Sequence, residues 1–145
     1  MATITKEVVL DVSAEACWDA LRDFDAVHER LARGFVTAAR PTGPGERQVT
    51  FFTGSVVTEQ LVAIDEERMR LVYTLTEGLP TCTFYGAAAQ ILSEGEGRCR
   101  FVWTLDVLPD ELEPPLSAMM DRGIEAVEET LTPTKTGART STGQA

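Results

Sequence analysis

In residues 110–131 the apolar side chains Leu112, Leu116, Met119, Met120, Gly123, Ile124, Val127 and Leu131 recur at spacings of three and four. Asp121, Glu125, Glu128 and Glu129 fill the opposite face. That period is an amphipathic α-helix. Pro114 and Pro115 fall in its first turn, where a missing N–H costs little, and Pro133 stops it. A helix with one apolar stripe needs an apolar surface to lie on. The residues before it must supply that surface.

They read as strands. At the start, Ile4, Lys6, Val8, Leu10 and Val12 alternate with Thr5, Glu7, Val9 and Asp11, with Val8, Leu10 and Val12 predicted inward. Ser13 is an N-cap for a helix over 14–22 that buries Cys17, Trp18 and Leu21, with Glu15 in its first turn. Asp25 is predicted to cap a second short helix carrying Val27 and Leu31 inward and ended by Gly34. Six strands follow, over 35–40, 48–53, 56–64, 68–76, 82–92 and 98–108. Turn residues separate them at 41–45, 54–55, 65–67, 77–80 and 94–97. Connections this short imply an antiparallel meander. Its inner face is the only large apolar surface open to the final helix. The fold class is therefore α+β: an antiparallel sheet of about seven strands, two short helices between the first and second, and a long C-terminal helix.

Composition narrows the function classes. The 145 residues carry 13 Lys+Arg against 23 Asp+Glu, a net charge of −10. That balance argues against nucleic acid and against docking on anionic lipid. No apolar run approaches the roughly 20 residues needed to span a bilayer. No charged segment followed by an apolar run opens the chain, so a cytoplasmic protein is expected. One domain is expected over 1–131, with the polar stretch 132–145 a disordered tail. Cys17, Cys82 and Cys99 form no CxxC pair and read as reduced core or near-core thiols. With His28 the only histidine, no zinc-type ligand spacing is present, and no metal or cofactor is expected.

Three stretches, in this order, carry a resemblance: VVLDVSAEACWDALRDFDAV, VVTEQLVAIDEERMRLVYTLTEG and GRCRFVWTLDVLPDEL. They resemble the Bet v 1/START-like (SRPBCC) superfamily and its polyketide cyclase/dehydrase and lipid-transport group, over about residues 3–131. The resemblance implies a helix-grip fold, in which a curved sheet wraps the long helix incompletely and leaves a cavity for a small hydrophobic molecule. It implies cofactor-free cyclisation, dehydration or isomerisation of an aromatic or polyketide-like substrate. The alternatives are a carrier or sensor without chemistry, or a co-chaperone-like module that meets its partner on the outer sheet face. Oligomeric state is not readable.

Glu59 is the sharpest candidate for chemistry. Period two places it on one face with Val57 and Leu61. Facing inward, it is a carboxylate in an apolar cavity, where desolvation raises its pKa and suits it to general acid–base work. Facing outward, it is a solvated charge. The central block is similar to plant abscisic-acid receptors, and that likeness implies that Glu59 and Tyr85 match a pocket glutamate and a pocket tyrosine. Tyr85 would then hydrogen-bond a carbonyl oxygen. Ala87 and Phe101 stand where those receptors carry a serine and a second glutamate, so the cavity here is more apolar. The receptor gate sequence Ser-Gly-Leu-Pro is absent, and Phe51-Phe52-Thr53-Gly54-Ser55 occupies its region. The His-His-Asn of bacterial cyclase-like relatives is replaced near Phe84-Tyr85-Gly86. Arg33 is matched to a receptor lysine, placed to pair with Glu59 or an anionic ligand group. Tyr73 and Trp103 face inward by alternation, as cavity wall or core. The small residues Gly86, Ala87, Ala88 and Ala89 either admit close packing by Met119 and Met120 or leave space. The candidate ligand contacts are thus Arg33, Phe35, Val57, Leu61, Tyr73, Ala87, Ala89, Phe101 and Trp103 from the sheet side. Leu116, Met119, Met120, Gly123 and Val127 complete the set from the helix.

Overall fold

The computed structural model describes residues 2–132. Strand β1 (Ala2–Leu10) leads into α1 (Ala14–Arg22), a 3-10 turn (Phe24–Ala26) and the one-turn α2 (Val27–Arg30). Strands β2 (Val36–Gly43), β3 (Glu46–Phe51), β4 (Val56–Asp65), β5 (Arg70–Glu77), β6 (Phe84–Ser93) and β7 (Cys99–Leu108) follow. A second 3-10 turn (Asp110–Leu112) opens α3 (Glu113–Leu131). The strands form one seven-stranded curved antiparallel sheet in the order β1-β7-β6-β5-β4-β3-β2. Only β1 leaves chain order, crossing to pair with β7. The expected α+β architecture is present, with α3 on the inner face and the short helices between β1 and β2. No helix among the described residues is long and apolar enough to cross a membrane. The expected tail lies outside the described residues from 133 onward. Thr132 itself is buried and closes α3, its N–H and hydroxyl both donating to the Glu128 carbonyl.

Local signals account for most boundaries. Ser13 Oγ accepts from the Ala16 amide at 3.1 Å, as an N-cap does. The expected cap on the second helix is not made: Asp25 sits within the 3-10 turn, and no side chain caps α2. Strand β2 also runs further than predicted, through Pro41 and Thr42, leaving Pro44-Gly45 to turn. It is an edge strand, where a residue without an N–H is tolerated. In consequence β3 begins at Glu46 rather than Gln48.

The core lies between sheet and helices. Leu10, Val49, Leu71, Leu105 and Val107 are almost completely buried. Cys17 and Cys99 are buried with them; desolvation pushes both thiols above their ordinary value. All three cysteines are free, and Cys82 is half-buried.

Gly78, just past β5, has φ +110°, and a Cβ there would lie 2.6 Å from the Val56 carbonyl oxygen and 2.7 Å from Val57 Cα. Gly95, in the β6–β7 turn, has φ +111° but open space around it. Gly95→Ala should therefore cost only backbone strain, about 1 kcal/mol. Gly78→Ala should cost about 2 kcal/mol or more, because the sheet must also move. Urea unfolding of the two variants measures the difference, and equal losses would contradict the close approach.

Candidate functional site

Between α3 and the sheet lies a cavity of about 370 Å³. This is within the usual range for small-molecule sites. Its wall is mostly apolar. Phe101, Trp103 and Leu105 from β7, Ala89 from β6, and Phe35 and Val57 form the sheet side, while Leu116, Met119, Met120, Gly123 and Val127 face them from α3. The methionines line the space rather than plug it.

The helix packs directly on β1, whereas under Gly123 two aromatic side chains fill the space between helix and sheet. A Cβ there would lie 2.7 Å from Trp103 Cζ3 and 3.1 Å from Phe35 Cε2. Phe35 meets Trp103 edge-on, with ring centroids 6.5 Å apart. Trp103 Nε1 in turn donates to Tyr73 Oη at 3.1 Å. Those large rings stand between helix and sheet.

Glu59 is buried and lines the cavity. It faces inward, the first of the two orientations the sequence allowed, and its cation is not the Arg33 matched to it there. Arg47, its cross-strand partner from β3, is buried beside it. Arg47 Nε donates to Glu59 Oε1 at 2.8 Å, and Nη2 lies 2.6 Å from the same oxygen. Nη1 donates to the Phe24 carbonyl. The guanidinium also lies over the Phe24 ring, 3.7 Å from its centroid, and 5.6 Å from that of Tyr73. A planar, weakly hydrated cation suits such a site, because its face packs on rings while its edge donates.

Tyr85 lines the same cavity, and its hydroxyl has no partner among the described residues. Its backbone carbonyl accepts from Thr74 Oγ1 at 2.5 Å. Burial, chiefly, raises both the Tyr73 and Tyr85 phenols well above their ordinary value, with the Glu59 charge adding to each. Both therefore remain protonated donors at neutral pH. Thr53 and Ser55, from the turn after β3, add two more hydroxyls. Among the described residues no three His, Cys, Asp or Glu side chains converge as metal ligands would.

Three predicted contacts lie off the wall. Arg33 is exposed, and its guanidinium donates to the Glu29 carbonyl at 3.0 Å, so the cation beside Glu59 is Arg47 instead. Leu61 is displaced by register shifts on both sides of residues 59–61, and its amide donates to the Gly45 carbonyl beneath the β2–β3 turn. Ala87 is fully packed between its cross-strand neighbours Tyr73 and Leu105. Conversely, Leu21, Leu31, Ala32, Val36, Val49, Phe51, Leu75, Gly78, Leu79 and Leu105 line the cavity without having been singled out. Strand alternation alone points to Val49, Phe51, Leu75 and Leu105. The loop and short-helix residues carry no comparable signal.

Removing one partner of a buried ion pair strands the other charge. Arg47→Met should cost about 3–5 kcal/mol, and Arg47→Met with Glu59→Leu should recover most of it. Denaturant unfolding tests this; a double variant no more stable than Arg47→Met would show that the two side chains act separately.

Residues 1–137 match the family model described as polyketide cyclase / dehydrase and lipid transport. No curated protein matches the chain. Among solved structures, the chain is similar to the ZhuI aromatase/cyclase from Streptomyces sp. R1128, at 16% identity and a TM-score of 0.70, covering 87% of this chain and 90% of that one. A START superfamily protein from Mycobacterium smegmatis superposes with a TM-score of 0.72 at 15% identity, covering 91% and 98%. Norcoclaurine synthase from Thalictrum flavum gives 0.64 at 20% identity, covering 92% and 96%.

Proposed function

Because the chain belongs to the polyketide cyclase / dehydrase and lipid transport family, we propose that it binds a small hydrophobic, aromatic or polyketide-like molecule in the space under α3. The observation that carries this reading is the 370 Å³ apolar cavity with a carboxylate and a phenol hydroxyl on its wall. Burial of the ligand's apolar surface supplies affinity, and the few polar atoms set orientation.

A catalytic reading draws on Glu59 and Tyr85 sharing that wall. Glu59, held by Arg47 through one oxygen, is the group that moves a proton. Tyr85 donates a hydrogen bond to a carbonyl oxygen as charge builds on it. The reaction class is cyclisation, dehydration or isomerisation, with orientation in a dry cavity lowering the barrier. A carrier needs the cavity alone.

Thermal unfolding against a library of aromatic polyketide-like compounds tests the binding reading. Ligands should raise the midpoint in the wild type. Ala89→Leu, which fills part of the space, should weaken them by roughly 10-fold, or about 1.4 kcal/mol. No shift with any compound would overturn the proposal. Product analysis with the compounds that bind separates the two readings: turnover lost in Glu59→Gln supports catalysis, and binding without product supports a carrier.

A further inference from the structure

The ion pair also fixes the polarity of the cavity. Arg47 directs two nitrogens at one oxygen, Glu59 Oε1, and its third at the Phe24 carbonyl. Glu59 Oε2 accepts no hydrogen bond from the described residues, although Glu59 lines the cavity. Arg47 does not reach the wall, and among the described residues no Lys or Arg side chain does. The polar groups left to a ligand are a carboxylate oxygen, the Tyr85 hydroxyl and, at the loop end, the Ser55 hydroxyl; Thr53 Oγ1 accepts from the Ser55 amide. Tyr73 differs, because its oxygen already accepts from Trp103.

Building on the binding reading above, we infer that Arg47 is a positioning residue: it pins the Glu59 carboxylate through Oε1 and leaves Oε2 turned to the ligand, so that the cavity selects a neutral hydrogen-bond donor, a phenol or alcohol on an apolar skeleton, and rejects the matching carboxylate. A hydroxyl meeting Oε2 makes a charge-assisted hydrogen bond. A carboxylate there meets a like charge in an apolar space, with no cation on the wall to offset its desolvation.

Three probes of one shape test this at neutral pH: para-butylphenol, para-butylbenzoate and butylbenzene, with binding followed by calorimetry. The wild type should bind the phenol about 10-fold or more tighter than the benzoate, and several-fold tighter than butylbenzene. Glu59→Gln should weaken the phenol and admit the benzoate, reducing their ratio by roughly 5-fold or more. Arg47→Gln is added in the Glu59→Gln background, where no carboxylate is stranded. There it should leave the ratio unchanged, as a residue acting only through Glu59 must. A change in that background would show direct contact with the ligand and overturn the positioning role. Equal wild-type affinity for phenol and benzoate, or a ratio unmoved by Glu59→Gln, would overturn the inference while leaving the cavity a binding site. Failure of all three probes would overturn both.

Discussion

The structure depends on how α3 is held off the sheet. At Gly123 the helix has no side chain, and the Trp103 and Phe35 rings fill the space a Cβ would need. Trp103 is braced from behind by Tyr73, whose hydroxyl fixes the indole N–H. With α3 packed directly on β1 along one side, rigid rings at this crossing keep it from collapsing onto the strands beyond, because close-packed interiors transmit such contacts rather than absorb them. Where β6 presents Ala89 instead of a large side chain, the same separation leaves a void. The cavity is thus a consequence of large and small residues alternating across one layer, with flexible methionines along its roof.

Within that layer Arg47 and Glu59 are out of character. Desolvating two charges is costly, and a buried ion pair is weak evidence for stability. The cost is offset locally: one edge of the guanidinium is spent on Glu59, another donor on a backbone carbonyl, and its face on Phe24. An apolar pair of similar size would serve packing as well. What an apolar pair does not supply is a positioned carboxylate on the cavity wall. The side chains that break the hydrophobic pattern are therefore stronger evidence for a functional site than those that follow it.

Much of the architecture was legible because short Gly- and Pro-marked turns leave a meander few options, and because a single helical stripe has only one surface to cover. The site was legible in part. Glu59, Tyr85, Trp103 and the helix residues follow from period two or 3.6 and lie on the cavity wall. Arg47 was hidden by one boundary. Reading 41–45 as a turn ended β2 too early and started β3 too late, although an edge strand tolerates Pro41. Starting β3 at Glu46 puts Arg47 in alternation with Val49 and Phe51, and the hairpin register places it opposite Glu59. Leu61 failed for another reason. A register shift re-aims side chains, and nothing in the alternation of 56–64 marks where it falls. Arg33 rested on a loose match at the end of a short helix, where one residue of slip decides whether a side chain faces core or solvent.

Fold alone does not decide what such a cavity holds, since one architecture hosts many chemistries. The decision falls to the atoms on the wall and to which of them are already engaged. Tyr73 and Tyr85 show the difference within one sheet face. Tyr73 carries a hydrogen bond that props the aromatic layer, so losing its hydroxyl alters shape first. Tyr85 carries none from its hydroxyl, so its polarity serves no packing purpose within the described residues. The same division separates the two oxygens of Glu59, one fixed by Arg47 and the other left over. A phenol hydroxyl and a carboxylate oxygen without hydrogen-bond partners among the described residues stand out on a mostly apolar wall. They form a donor–acceptor pair, and that pattern is what the proposed binding of a polar aromatic molecule rests on, rather than the cavity's volume.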